Sequence, residues 1–311
     1  MLETELDESG LGAVYRRQLL NALDEGVEPD VSSPSLNKLP TLTCQASGGI
    51  RNQAAAVQAA WEVVRLAVKL LDDVEDGAVN EQPGVAVNLA TGLLMAAPLM
   101  LDRGLGMGSR DLRERTCAAL HRAVLRACAG QHADLTAVET EAIDIDPQAW
   151  LTIAGAKSGE FLAWAAWAGA LVGGADEPAL ASYREYGYHL GVLLQVADDL
   201  NDIWYPARAS DLTVGCLSLP VCYALSVAEA EDQESLKTLL KQAARGNEGA
   251  EAQLRQWLID LGAQAYLLVV GQLQRQAAAA ALQRARPTPP TDEQLIELLD
   301  RVMPALAGIG F

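Results

Sequence analysis

The sequence predicts an all-α fold, and three observations lead to that expectation. Half of the 311 residues are hydrophobic, with Ala and Leu dominant and only two Phe. Apolar positions recur at helical spacing, whereas alternating β-branched or aromatic runs are scarce. Gly- and Pro-containing breaks separate the periodic stretches.

In chain order, residues 1–30 read as an amphipathic helix behind a polar lead, and 28–40 (EPDVSSPSLNKLP) as a loop. Helical patterning runs from Thr41 to Asp76 with a turn at Gly48-Gly49, breaks over 77–84, and resumes from Val85 to Leu101. After the glycines of 103–108 comes a long helix from Asp111 to Glu141, then helices over Gln148–Leu171 and Pro178–Trp204. The stretch 205–215 is irregular. A further helix starts at Leu219 with Pro220 in its first turn, and 245–249 is a polar linker. The Pro-rich loop 285–292 precedes a last helix reaching about Leu306. With no repeat and no convincing strand, residues 1–311 read as one domain of roughly a dozen helices, the first 40 forming an N-terminal helix and loop.

The formal net charge of -18 excludes nucleic acid as a partner, because a phosphate backbone needs a basic surface. It also means that an anionic substrate would need metal cations or a few placed Lys and Arg. Five cysteines at 44, 117, 128, 216 and 222 form no CxxC pair, which suggests reduced thiols and a cytoplasmic location. The acidic opening MLETELDESG is unlike a signal peptide, and Leu162–Ala175 is too short to cross a bilayer, so the chain is not expected to span a membrane.

Two acidic clusters carry chemistry. Asp72-Asp73-Val74-Glu75-Asp76 closes an apolar helix, and its i,i+4 pair Asp72 and Asp76 shares one helical face. Asp198-Asp199-Leu200-Asn201-Asp202 repeats the DDxxD spacing 126 residues later, after another apolar helix. Like charges this close repel, and a divalent cation relieves that repulsion. Magnesium takes hard oxygen ligands, keeps several waters and completes its shell with substrate phosphates, so two clusters could clamp a diphosphate. A solvated acidic helix end is the plain alternative for either cluster alone.

With these motifs in order, the sequence resembles the polyprenyl synthetase family, the trans-isoprenyl diphosphate synthases, over roughly Leu42–Leu225. Besides DDVED at 72–76, the matching segments are VNLATGLL at 87–94, GQHADL at 130–135, Lys157-Ser158-Gly159, Gln195-Val196-Ala197-Asp198-Asp199, and Ser210-Asp211-Leu212 with Ser218-Leu219-Pro220. The resemblance implies the isoprenoid synthase fold, a homodimer, and about three magnesium ions. Asp72, Asp76 and Asp198 would be ligands, with Asp73, Asp199 and Asp202 supporting them. Lys157 would contact the diphosphate of an allylic substrate and Gln195 would line the same site. Gln131 and Asp134 would either line the pocket or bond between helices. The small residues Val68 and Ala67, before the first motif, imply room for a C15–C20 or longer chain.

The departures are concentrated where family elongases hold isopentenyl diphosphate with basic residues. The upstream GGKR is replaced by Ser35-Leu36-Asn37-Lys38-Leu39-Pro40, the expected His by Arg65, the arginine pair by GAVNEQPG at 77–84, and Gly-Lys by Gly215-Cys216. Arg65, Lys38 and Arg51 remain as possible replacements. A diphosphate cannot be held without compensating charge. The expectation is therefore an enzyme that ionises one allylic diphosphate and captures the cation internally or with water, as class I terpene synthases do. Trp164 and Trp167, in the apolar helix after Lys157, could stabilise such a cation or simply pack the core. The alternatives are a chain-elongating prenyltransferase with a rebuilt acceptor site, and a non-catalytic partner subunit.

Overall fold

The structure, a computed structural model, describes residues 13–25, 35–75, 77, 82–106, 110–139, 146–205, 212 and 218–306. Among the described residues every regular element is a helix. The helices are α1 (Ala13–Glu25), α2 (Leu39–Ala46), α3 (Ala55–Glu75), α4 (Pro83–Gly104), α5 (Arg110–Glu139), α6 (Pro147–Ala154), α7 (Glu160–Val172) and α8 (Glu177–Trp204). They continue with α9 (Leu219–Val227), α10 (Ala230–Ala243), α11 (Glu248–Asp260), α12 (Ala263–Ala285) and α13 (Thr291–Val302). Short 3-10 turns cover Leu36–Lys38, Arg51–Ala54 and Pro304–Leu306, and a π-helical turn covers Gly155–Gly159.

The chain divides into two compact units. The first comprises Met1–His121, Ala165–Ala181 and Arg286–Leu295. Its centre is the pairing of α3 with α4. Ala56, Ala60, Val63, Val64 and Ala67 are buried on α3, and Ala86, Ala90, Leu93, Ala97 and Leu101 on α4. Small residues in both sets let two long helices lie close together. The start of α3 is tied down by polar bonds: Trp61 Nε1 donates to the Leu36 carbonyl at 2.8 Å, and Thr41 Oγ1 to Gln58 Oε1 at 2.8 Å. Glycines allow a close helix approach in the same unit. A Cβ on Gly169 would lie 2.2 Å from the Pro40 carbonyl oxygen, and one on Gly173 2.5 Å from that of Cys44.

The second unit comprises Arg122–Trp164, Ser182–Ala285 and Ile296–Phe311. Here α8 supplies a fully buried face of Leu190, Val192, Leu193, Val196, Leu200 and Ile203. Burying each such side chain contributes on the order of 2 kcal/mol. Asp146 starts α6 by accepting from the Ala149 amide at 2.7 Å, with Pro147 as the first helical residue. Glu160 accepts from Arg126 at 2.9 Å and Arg184 at 2.7 Å, and Arg275 bonds Asp300 at 2.8 Å.

Three expectations need refinement. Gln148–Leu171 is not one continuous α-helix, because the π-turn divides it. The chain from 226 to 285, left without assigned helices beyond the 245–249 linker, folds into α10, α11 and α12. Among the described residues, the helix long and apolar enough to cross a membrane is α4, with mean hydropathy 1.8 over an 18-residue window of which 44% is buried, rather than the 162–175 stretch.

Candidate active site

In the first unit, α3 carries Asp72 and Asp73 to its last turn. Asp72 is half-buried, and Asp76 lies outside the described residues. Lys69, one turn earlier, donates to Asp73 at 2.8 Å, and these side chains are 58% and 30% exposed. Lys69 thus places a positive charge beside one of the clustered carboxylates. Ala67 is buried and Val68 half-buried on the same helix. Arg65 is half-buried, seven residues before Asp72 and therefore close to the same helical face.

In the second unit, the end of α8 presents the other cluster. Asp198 is exposed, and Gln195 and Asp202 are half-buried. Asp199 is only 9% exposed. Its Oδ2 accepts from the Leu219 amide at 2.6 Å, at the start of α9. A buried carboxylate there satisfies an unpaired N–H and meets the positive end of the helix. Burial pushes the Asp202 carboxyl above the usual carboxylate range. It pushes the Cys222 thiol far up as well, with nearby Asp199 adding to the effect.

Lys157 lies in the π-turn between α6 and α7 and donates to Asp134 Oδ2 of α5 at 3.1 Å. Gln131 is half-buried one turn before Asp134 on α5. Trp164 is buried in α7, and Arg115 lies 5.9 Å from the ring centroid of half-buried Trp167. Arg51 is exposed and Lys38 half-buried, while Gly215-Cys216 lie outside the described residues. The four described cysteines, Cys44, Cys117, Cys128 and Cys222, form no disulfide.

Among the described residues no three Asp, Glu, His or Cys side chains form a ready-made ion site. The donor sets nevertheless suit magnesium, which is held by one or two carboxylates together with waters and phosphate oxygens. Asp72 and Asp198 offer hard oxygens at half-buried and exposed helix ends. One oxygen of Asp199 is already committed to the backbone.

The polyprenyl synthetase family model matches residues 37–257, which contain every one of these groups. The chain belongs to the polyprenyl synthetase family. It is 25% identical over 215 residues to a short chain isoprenyl diphosphate synthase of Methanothermobacter thermautotrophicus. That match covers 65% of this chain and 66% of the relative, so it spans just under two thirds of the relative's length. A polyprenyl synthetase structure from Streptomyces coelicolor superposes with a TM-score of 0.75 at 26% identity, covering 85% of this chain and 83% of that one. A geranylgeranyl pyrophosphate synthase from Corynebacterium glutamicum, solved with calcium and isoprenyl diphosphate, has the same fold at a TM-score of 0.75 and 21% identity, over 97% of this chain and 91% of that one.

Two features of this chain escaped the sequence. Nothing in the order of residues marked the Leu219 amide as the partner of Asp199, twenty positions away. Tyr188 packs on the Lys157 turn so closely that a Cβ on Gly155 would lie 2.0 Å from its hydroxyl oxygen. Only the two glycines flanking Lys157, at 155 and 159, hinted at tight packing.

Proposed function

We propose that this protein is a magnesium-dependent enzyme that ionises an allylic prenyl diphosphate of C15–C20 or longer and completes the reaction without isopentenyl diphosphate. The observation that carries this reading is an imbalance of charge. Both acidic helix ends and Lys157 are present, whereas GAVNEQPG at 77–84 and Gly215-Cys216 stand where a second diphosphate would need cations. Magnesium supplies positive charge against the departing diphosphate. Asp72 and Asp198 would hold it, and Lys157 would bind the diphosphate directly, with Gln195 lining the site. The allylic C–O bond breaks with both electrons going to the diphosphate, which leaves as inorganic diphosphate. A double bond of the same substrate or a water captures the carbocation, and loss of a proton completes the product.

The calcium and isoprenyl diphosphate in the Corynebacterium structure support a divalent ion and this substrate class. The name of the Methanothermobacter relative favours the second reading, chain elongation with a rebuilt acceptor site in which Arg65 supplies charge. We also propose a cytoplasmic homodimer. Val87, Met95 and Leu99 are exposed along one stripe of α4, as is Leu125 of α5, and a second copy would cover such apolar surface. A helix paired with α3 along its buried face, as α4 is, supports a chain that does not span the membrane.

The test incubates the protein with magnesium and geranyl, farnesyl, geranylgeranyl or longer diphosphates, each with and without isopentenyl diphosphate, and analyses hydrocarbons, alcohols and diphosphates. A hydrocarbon or alcohol formed without isopentenyl diphosphate is expected. Longer diphosphates formed only in its presence would establish elongation instead.

A further inference from the structure

We infer that Asp134 is a positioning residue for Lys157, and that the π-turn around Lys157 sets the register in which the two meet; this rests on the reading that Lys157 binds the substrate diphosphate. A π-turn accommodates one extra residue within a helix and changes which way the following side chains point. Here it occurs at Gly155–Gly159, with Lys157 at its centre.

The turn is held in place from two helices. On the α5 side, a Cβ on Gly130 would lie 2.7 Å from the Lys157 backbone nitrogen and 2.9 Å from the Ala156 Cβ. On the α8 side, a Cβ on Gly191 would lie 2.6 Å from the Ser158 carbonyl oxygen, and Tyr188 abuts both Gly155 and Gly159. Contacts at these distances leave no room for a side chain, so backbone lies directly against backbone. Asp134 follows Gly130 by four residues and so shares its face of α5. The glycine that seats the Lys157 backbone and the carboxylate that receives its Nζ at 3.1 Å are thus one turn apart on one helix.

A lysine side chain is flexible, and ordering it on binding opposes association. Asp134 orders it beforehand. An ammonium donates along its N–H bonds, so the bond to the Asp134 carboxylate directs Nζ. At 24% and 32% side-chain exposure, the pair is reachable by substrate.

The experiment is a double-mutant cycle on prenyl diphosphate turnover, together with amine acylation of Lys157 read by mass spectrometry in metal-free, substrate-free protein. Asp134→Ala is expected to raise KM about fivefold, the scale of one partly exposed ion pair, with a smaller effect on kcat. Asp134→Asn, which keeps an acceptor oxygen, should recover part of that loss. In a Lys157→Met background, Asp134→Ala should add nothing, because the residue it positions is gone. Lys157 should acylate several-fold faster in Asp134→Asn than in the unaltered protein. An equal KM increase with and without Lys157 would show a merely structural role and overturn the inference, as would unchanged acylation. A Lys157→Met variant with unchanged KM would instead overturn the diphosphate reading of Lys157, whatever the acylation shows.

Discussion

The two acidic helix ends have the same DDxxD spacing but different surroundings. At the end of α3, Asp73 faces Lys69 in a pair that water reaches easily. At the end of α8, Asp199 is buried, bonds the Leu219 amide and sits between the exposed Asp198 and the buried Leu200. Asp202 is desolvated enough to hold its proton more tightly than usual. The second Asp of each motif is thus spent differently, on a surface lysine in one and on the start of another helix in the other. Equal spacing gives an equal pattern of carboxylates but not equal roles.

The comparison breaks most sharply at the positions where the two motifs should agree. On the proposed reading, Asp72→Ala and Asp198→Ala should each lower kcat/KM on the order of 1000-fold, since each would remove a ligand of the magnesium that offsets the leaving group's charge. If both variants kept full turnover, the metal assignment would fall.

The next largest effect separates the motifs. Asp199→Ala should lower unfolding stability by about 2 kcal/mol, because it leaves the Leu219 amide unpaired and a cavity beneath it. Asp73→Ala should barely change it. Thermal denaturation of both variants without magnesium reads the difference, and equal losses would mean that Asp199 is no more structural than Asp73.

Asp202→Asn sharpens the contrast through pH. A carboxyl raised in the folded chain binds its proton more readily there than in the unfolded chain. Its charge therefore costs nothing below the ordinary value of 3.8; the cost builds as pH rises from there through the raised folded value and persists at neutral pH. The metal-free Asn variant should accordingly be more stable than the unaltered protein at pH 7, and the advantage should vanish in acid. Chemical denaturation at several pH values measures this, and a variant less stable at pH 7 would contradict it.

The smallest effect is expected for Lys69→Ala. Exposed i,i+4 pairs contribute about 0.3–0.5 kcal/mol, and less in salt. A larger loss on denaturant titration would mean that Lys69 does more than screen Asp73.

Legibility followed the range of the interaction. The glycine turn before α3, the Pro-rich stop before α13 and the acidic ends of α3 and α8 are local patterns, and each was readable from neighbouring residues. The π-turn was not, because a π-turn differs from an α-helix by one hydrogen-bond register, and GAKSG has no composition that demands it. Arg65 was legible as a departure from the family pattern, but only the fold showed that Lys69 meets Asp73. Trp167 was weighed as a cation stabiliser, and the fold places Arg115 beside its ring.

The sequence alone determined the helical class and the two carboxylate clusters, and its resemblance to the family added the missing basic segments. These depend on residue type and on spacings of three or four positions, which a helix converts directly into faces. The tertiary structure decided which carboxylates are spent on the fold. Asp199 reaches Leu219 and Asp134 reaches Lys157 across twenty or more residues of chain. Helix periodicity cannot encode such meetings; they arise when buried faces pack and each enclosed charge must find a partner.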